Sequence, residues 1–363
     1  YISMLRKRGD QRMGKNLNRL VSAIVLGVLG NFTSSAHAWD HPGHMITGAI
    51  AFAEVERARP ELIDKIGLLF MAHPDAAPFW VAAGAEKGKE GVRRKFAECA
   101  RWADDTKFSP NDRPVWHTAR LPIVAKGAPP EAEAAAAAKH GKPVGQALDA
   151  LKLNFATLRN HESTNLERAL AMCWVFHIVG DIHQPMHVSD LYSKEFPAGN
   201  AAATLSYIED PVTEKPMPLH VLWDTNAIRI PSIEEVDKHT QELLKKHPRS
   251  SFAELKAHPN SDPNAFENWA KESHQVAVDW AYDLETLPDP DKGQDSDKLM
   301  KNMVNFILTG ESHVKEAPKL PAGYWEKLQL TAQRRITLAG YRIADLILSA
   351  AENIEAQRKF IGR

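Results

Sequence analysis

Cysteine is almost missing from this chain: Cys99 and Cys173 are the only two in 363 residues. That excludes a disulfide framework, and it leaves imidazole and carboxylate, supplied by sixteen histidines and 46 acidic residues, as the donors for any metal. Both cysteines lie in apolar helical stretches, FAECARWA and LAMCWVFHI. Two buried thiols are expected there, although an exported chain could join them. A long hydrophobic span is also lacking, since the apolar run VSAIVLGVLG near the start is too short to cross a bilayer. Excess positive charge is lacking too: 45 basic residues face 46 acidic ones. A protein that holds nucleic acid by charge alone would be basic. No G-x-S-x-G occurs, so a serine hydrolase elbow is not supported. Internal repeats and any convincing series of alternating strands are absent as well.

What is present begins with a leader pattern. Arg6, Lys7, Arg8, Arg12, Lys15 and Arg19 precede the apolar run, and Ala36-His37-Ala38 closes it as an A-x-A site. This predicts a signal peptide over 1–38, cleavage at Ala38–Trp39, and a secreted or periplasmic product with no membrane anchor. The leader holds six of the 45 basic residues and one of the 46 acids, so the remaining 325 residues carry a formal charge of −6. Any polyanion held here would need positive charge from another source.

Residues 39–363 are expected to form one large all-α domain. Apolar residues recur at three-and-four spacing in HMITGAIAFAEVERA, PELIDKIGLLF, VRRKFAECARWA, VGQALDALKLNFATL, LERALAMCWVFHIVGDI, SIEEVDKHTQELLKK, FENWAKESHQVAVDWAYDL and LTAQRRITLAGYRIADLILSAAENI. TLSYI (204–208) is a short strand candidate. Long Pro/Gly-rich connectors span 108–130 and 189–218, and loops of that length are often functional. The alanine-rich run 131–143 reads as a surface insert. No obligate protein partner is evident.

The segment NLERALAMCWVFHIVGDIHQPMH (165–187) carries the most chemistry. It is apolar almost all round from Ala169 to Ile182, as a central buried helix would be. His177 and Asp181 are spaced i,i+4 on one face of it. An unpaired carboxylate in such a helix is costly unless neutralised, so a buried His–Asp pair is one reading and a metal the other. His187 follows just after Pro185. The same i,i+4 pattern returns as His220 and Asp224 in PLHVLWDTN. Asp104 in ECARWADDTK and His117 in RPVWHTAR add a carboxylate and an imidazole; Asp105 beside Asp104 is the alternative to it. These donors exceed what one zinc can use, which points to a polynuclear site. Cleavage before Trp39 would expose an α-amino group with a pKa of about 7.7–8.0. Amine and carbonyl of one residue form a five-membered chelate, and His44 is placed to complete it.

With those motifs assembled, the chain resembles the S1/P1 family of zinc-dependent nucleases, distant relatives of the zinc phospholipases C. WDHPGH (39–44), RWADDTK (101–107), WH (116–117), FHIVGDIHQPMH (176–187), LHVLWD (219–224), WAKES (269–273) and LAGYRIA (338–344) run in the family order. The resemblance implies a helical fold with three zinc ions in a cleft, and single-stranded DNA, RNA or 3′-nucleotides as substrate. It implies one zinc on Asp104, His117, His177 and Asp181, and a second on Trp39 and His44 with Asp181 shared. The third would rest on His187, His220 and Asp224. Asp104 and Asp181 thus enter the catalytic machinery, together with Lys107, which matches a position that contacts phosphate in the family.

The chain also departs from that family. An aromatic follows the histidine at position 117 in its best-known members, with an acid three residues beyond that histidine; here Thr118 and Arg120 stand in those places. Substrate contact through Thr118 and Arg120 is therefore expected to depend less on base stacking and more on backbone charge. Tyr192, Phe196 and Tyr207 of the 189–218 loop are the alternative stacking surface. The disulfide cysteines of the fungal members are absent. His41 and His183 fall outside the ligand pattern and are expected to be structural. His73, His140, His161, His239, His247, His258, His274 and His313 are expected at the surface. Two other readings compete: a lipid phosphodiesterase of the zinc phospholipase C kind, and a secreted zinc-binding protein without catalysis. The five-residue step from Trp39 to His44 and an aspartate at 224 argue against the first, and the complete ligand set against the second.

Overall fold

The computed structural model describes residues 39, 41–75, 88–107, 109–139, 143–225, 235–282, 301–302, 305–306 and 309–351. The leader and its cleavage site lie outside them, as do His140 and the side chain of His41. The chain divides into two compact units, and everything below concerns the larger, Ala36–Gln294 with Val314–Arg363.

That unit is helical, as its periodicities require. The main helices are α1 (His41–Ala58), α2 (Glu61–Phe70), α3 (Gly88–Asp105), α4 (Pro130–Ala137), α5 (Ala147–Arg159) and α6 (Asn165–Ile182). They are followed by α7 (Leu219–Thr225), α8 (Glu235–Lys246), the short α9 (Glu254–Ala257), α10 (Ala265–Val276) and α11 (Tyr324–Ser349). No described helix is long and apolar enough to cross a membrane. The alanine-rich run through Ala137 lies in helix α4, whose Ala132 and Ala136 are buried against Tyr192.

At the centre lies α6. Thr164 and Glu167 close a reciprocal capping box at its start, which satisfies two of the donors a helix N-terminus leaves open. From Ala171 onward every residue is buried. An all-round apolar helix is stable only when covered on all sides, and α1, α2, α3, α5, α10 and α11 all pack on it. Gly340 of α11 lets that helix close on α1, because a Cβ there would stand 2.6 Å from the Ile50 side chain.

The loops are more structured than their composition suggests. β1 (Leu121–Val124) pairs in parallel with β2 (Ser189–Tyr192), starting at Leu121 opposite Ser189. β3 (Tyr207–Glu209) pairs antiparallel with β4 (Pro216–Pro218), in place of the expected strand at 204–208. The alternative aromatic surface on this loop is not exposed: Tyr192 and Phe196 are buried in small cores beneath the strands, and Tyr207 is buried as well.

Candidate metal centre

Three groups of donors converge at the C-terminal half of α6. His177 and Asp181 stand one turn apart on it, both fully buried. Asp104 arrives on the last turn of α3. His117 follows the helical turn Pro114–Trp116, wedged by Trp116 against Trp174. His177 Nε2 lies 2.9 Å from His117 Nδ1. Asp181 Oδ2 faces those two nitrogens at 3.4 and 3.2 Å, and Asp104 Oδ1 faces them at 3.8 and 3.9 Å.

The other oxygens turn to a second group. His44 Nε2 lies 3.3 Å from Asp181 Oδ1, 3.9 Å from Asp104 Oδ2 and 3.5 Å from the main-chain nitrogen of Trp39. Trp39 is anchored there by its indole, which donates to the Gly180 carbonyl at 2.9 Å. His44 stacks on His177 at 4.1 Å between centroids. It reaches that place because residue 180 has no side chain: a Cβ would stand 2.7 Å from His44 Nδ1. Both Asp181 and Asp104 therefore straddle the first two groups, whereas the family pattern shares only Asp181.

A third group is built by the turn Pro185–Val188 and α7. His220 Nε2 lies 3.3 Å from Asp224 Oδ2, and His187 Nε2 lies 3.8 Å from Asp224 Oδ1. Gln184, buried, donates to Asp224 Oδ1 at 2.7 Å and fixes the carboxylate. Three successive left-handed alanines, Ala201–Ala203, bend the chain so that the Ala202 carbonyl accepts from His220 Nδ1 at 2.6 Å. Such backbone is strained for residues with a Cβ. Asp190 holds it, accepting from the Ala202 amide at 3.3 Å.

The outer nitrogens decide the protonation of the inner ones. His177 Nδ1 donates to Ala100 O at 2.8 Å, His187 Nδ1 to His117 O at 2.7 Å, and His220 Nδ1 to Ala202 O. Each Nε2 is then a lone pair aimed inward, the form that ligates metal. Burial lowers the pKa of all three imidazoles. It raises Asp181 to about 7 and Asp224 to about 8. Asp181 Oδ1 and Oδ2, His187 Nε2 and Asp224 Oδ2 are buried with no hydrogen-bond partner among the described residues. Buried carboxylates facing neutral imidazoles, with three of their four oxygens unsatisfied, fit divalent cations and are costly without them.

His183 is structural, as expected: it donates to Val179 O at 2.6 Å and accepts from Arg342 at 2.8 Å. His73 contradicts its expected exposure; it is buried, edge-on to Trp102 at 4.7 Å. His274 is half-buried, bonded to Ser189. Lys107, half-buried, lies near enough for its charge to act on Asp224. Thr118 is half-buried under Gly145, where a Cβ would stand 2.1 Å from its carbonyl oxygen. The Arg120 guanidinium is turned to Asp190 at 3.5 Å.

Gly180, Gln184 and Asp190 went unread in the sequence. Only Gly180 had a signal, a glycine inside an otherwise unbroken apolar helix. A family model described as S1/P1 Nuclease matches residues 39–352. Among curated proteins, none matches the chain.

Proposed function

Because the chain belongs to the S1/P1 nuclease family, we propose that it is a zinc-dependent phosphodiesterase acting on single-stranded DNA, RNA or 3′-nucleotides after export. One observation carries this reading: the two oxygens of Asp181 face separate sets of nitrogen donors. Asp104, His117, His177 and Asp181 would hold one zinc. Trp39 and His44 with Asp181 would hold a second, and His187, His220 and Asp224 a third. When bound, zinc supplies hydroxide from water near neutral pH and positive charge for phosphate oxygens.

The chain's own residues then have defined tasks. Carbonyl-anchored imidazoles keep their lone pairs aimed inward. Gln184 holds Asp224 in one orientation. Lys107, close enough for its charge to act on Asp224, would meet substrate phosphate. Thr118 offers no ring to a base, and Arg120 adds charge from beside Asp190, so backbone contacts outweigh base stacking. Signal cleavage before Trp39 frees the amine beside His44 and completes the second group.

The test is hydrolysis of single-stranded DNA and of phosphatidylcholine, each with and without a chelator. Cleavage of DNA that is lost on chelation and restored by zinc is expected. Hydrolysis of the lipid alone, or of neither, would replace this reading with the lipid phosphodiesterase or the non-catalytic one.

A further inference from the structure

We propose that Cys99 and Cys173 form a disulfide in the mature protein, joining α3 to α6 inside the core beneath the metal centre. They are the only cysteines in the chain, and both are fully buried. Their sulfurs face each other across the α3–α6 interface at 2.6 Å, with no atom between them. The two positions are 74 residues apart and lie on helices that also carry candidate metal donors. Cys99 is five residues before Asp104; Cys173 is four before His177, on the same face of α6. A bond here would fix the separation of the two helices on which the first two donor groups depend.

The bond would form by thiol–disulfide exchange. A thiolate is the species that attacks a disulfide. During folding, before the core closes, the Cys173 thiolate attacks an external disulfide, oxidised glutathione. One external thiol leaves. The Cys99 thiolate then attacks the mixed disulfide and releases the second. Two S–H bonds are broken and one S–S bond is made; the external disulfide takes both electrons and both protons. Bonds that close long loops restrict the unfolded chain most.

The proposal rests on the export reading only for where the bond would form, so its test is made in vitro and does not read activity. The denatured, reduced protein is refolded with zinc in a glutathione redox buffer. It is then quenched in acid, denatured, alkylated and weighed. The refolded protein should take up no alkyl group until it is reduced, and two afterwards. Refolded, zinc-bound protein with both cysteines alkylated without reduction would overturn the proposal. The Cys99→Ala/Cys173→Ala double variant supplies a second measurement. Reductant should lower the thermal midpoint of the wild type to that of the variant and leave the variant unchanged. Equal midpoints for the oxidised wild type and the variant would also overturn it.

Discussion

Asp181 has two oxygens and two neighbourhoods, one at His44 and one at His117 and His177. An amide in its place keeps the shape but removes the charge that would offset the two proposed cations. Asp181→Asn is expected to release more than one zinc per chain, while Asp224→Asn releases roughly one, because Asp224 serves a single group. Elemental analysis of the two variants checks this, and equal losses would contradict it. The His and Asp candidates could be read from the sequence because metal donors are a short list of side-chain types, and helical spacing pairs His177 with Asp181 and His220 with Asp224; their grouping came from the family resemblance. The residues that aim them could not be. Gln184 is an ordinary amide until it is seen against Asp224, and Gly180 is a helix-weakening residue until His44 fills the space it leaves.

At the scale of elements, the C-terminal end of α6 is the demanding part. The last carbonyls of any helix lack partners within it, and here they are buried. The Ser273 hydroxyl of α10 donates to Ile182 O at 2.6 Å, Arg335 of α11 donates to His183 O at 3.2 Å, and the Trp39 indole takes Gly180 O. Glu272 pairs with both Arg335 and Arg342 and locks α10 to α11. This explains WAKES and LAGYRIA, whose order supported the family resemblance without showing their purpose. Ser273→Ala leaves the Ile182 carbonyl unpartnered in the core and should cost about 1–3 kcal/mol of stability. Zinc content should be unchanged, since no donor touches Ser273. A thermal melt and a metal assay on one sample test both halves. The helices were legible because amphipathic spacing forces them; the 189–218 loop was not. Its strands are three or four residues long, too short for an alternating pattern, and Ala201–Ala203 turn left-handed with nothing in their type to announce it.

For the whole molecule, charge and protons connect the site to stability. A carboxyl whose folded pKa lies above its unfolded value of about 3.9 keeps a proton that the unfolded chain has lost. Asp181, at about 7, and Asp224, at about 8, are such groups because burial raises them. Metal-free protein therefore loses stability as pH rises from about 4 to about 8. His177, His187 and His220 act in the opposite sense, since burial lowers them. Their contribution is complete above the unfolded histidine value of about 6.5, so the decline stands alone between about 6.5 and 8. Zinc held as proposed would bind the ionised carboxylates, so its stabilisation should grow over that window. Thermal midpoints of zinc-loaded and chelated protein should diverge as pH rises through it; convergence would contradict the assignment of those two carboxylates.

The all-α class and the order of the site motifs followed from the sequence, whereas the burial that tunes the site follows only from packing. The central claim is that a cluster of His and Asp donors is completed by the main-chain nitrogen of Trp39. The most direct measurement is the zinc content of protein beginning at Trp39, set beside protein that retains one residue before it. We predict about three zincs in the first and fewer in the second, because the amine becomes an amide that no longer ligates. Equal zinc content in both forms, or a single zinc in active protein beginning at Trp39, would contradict the account.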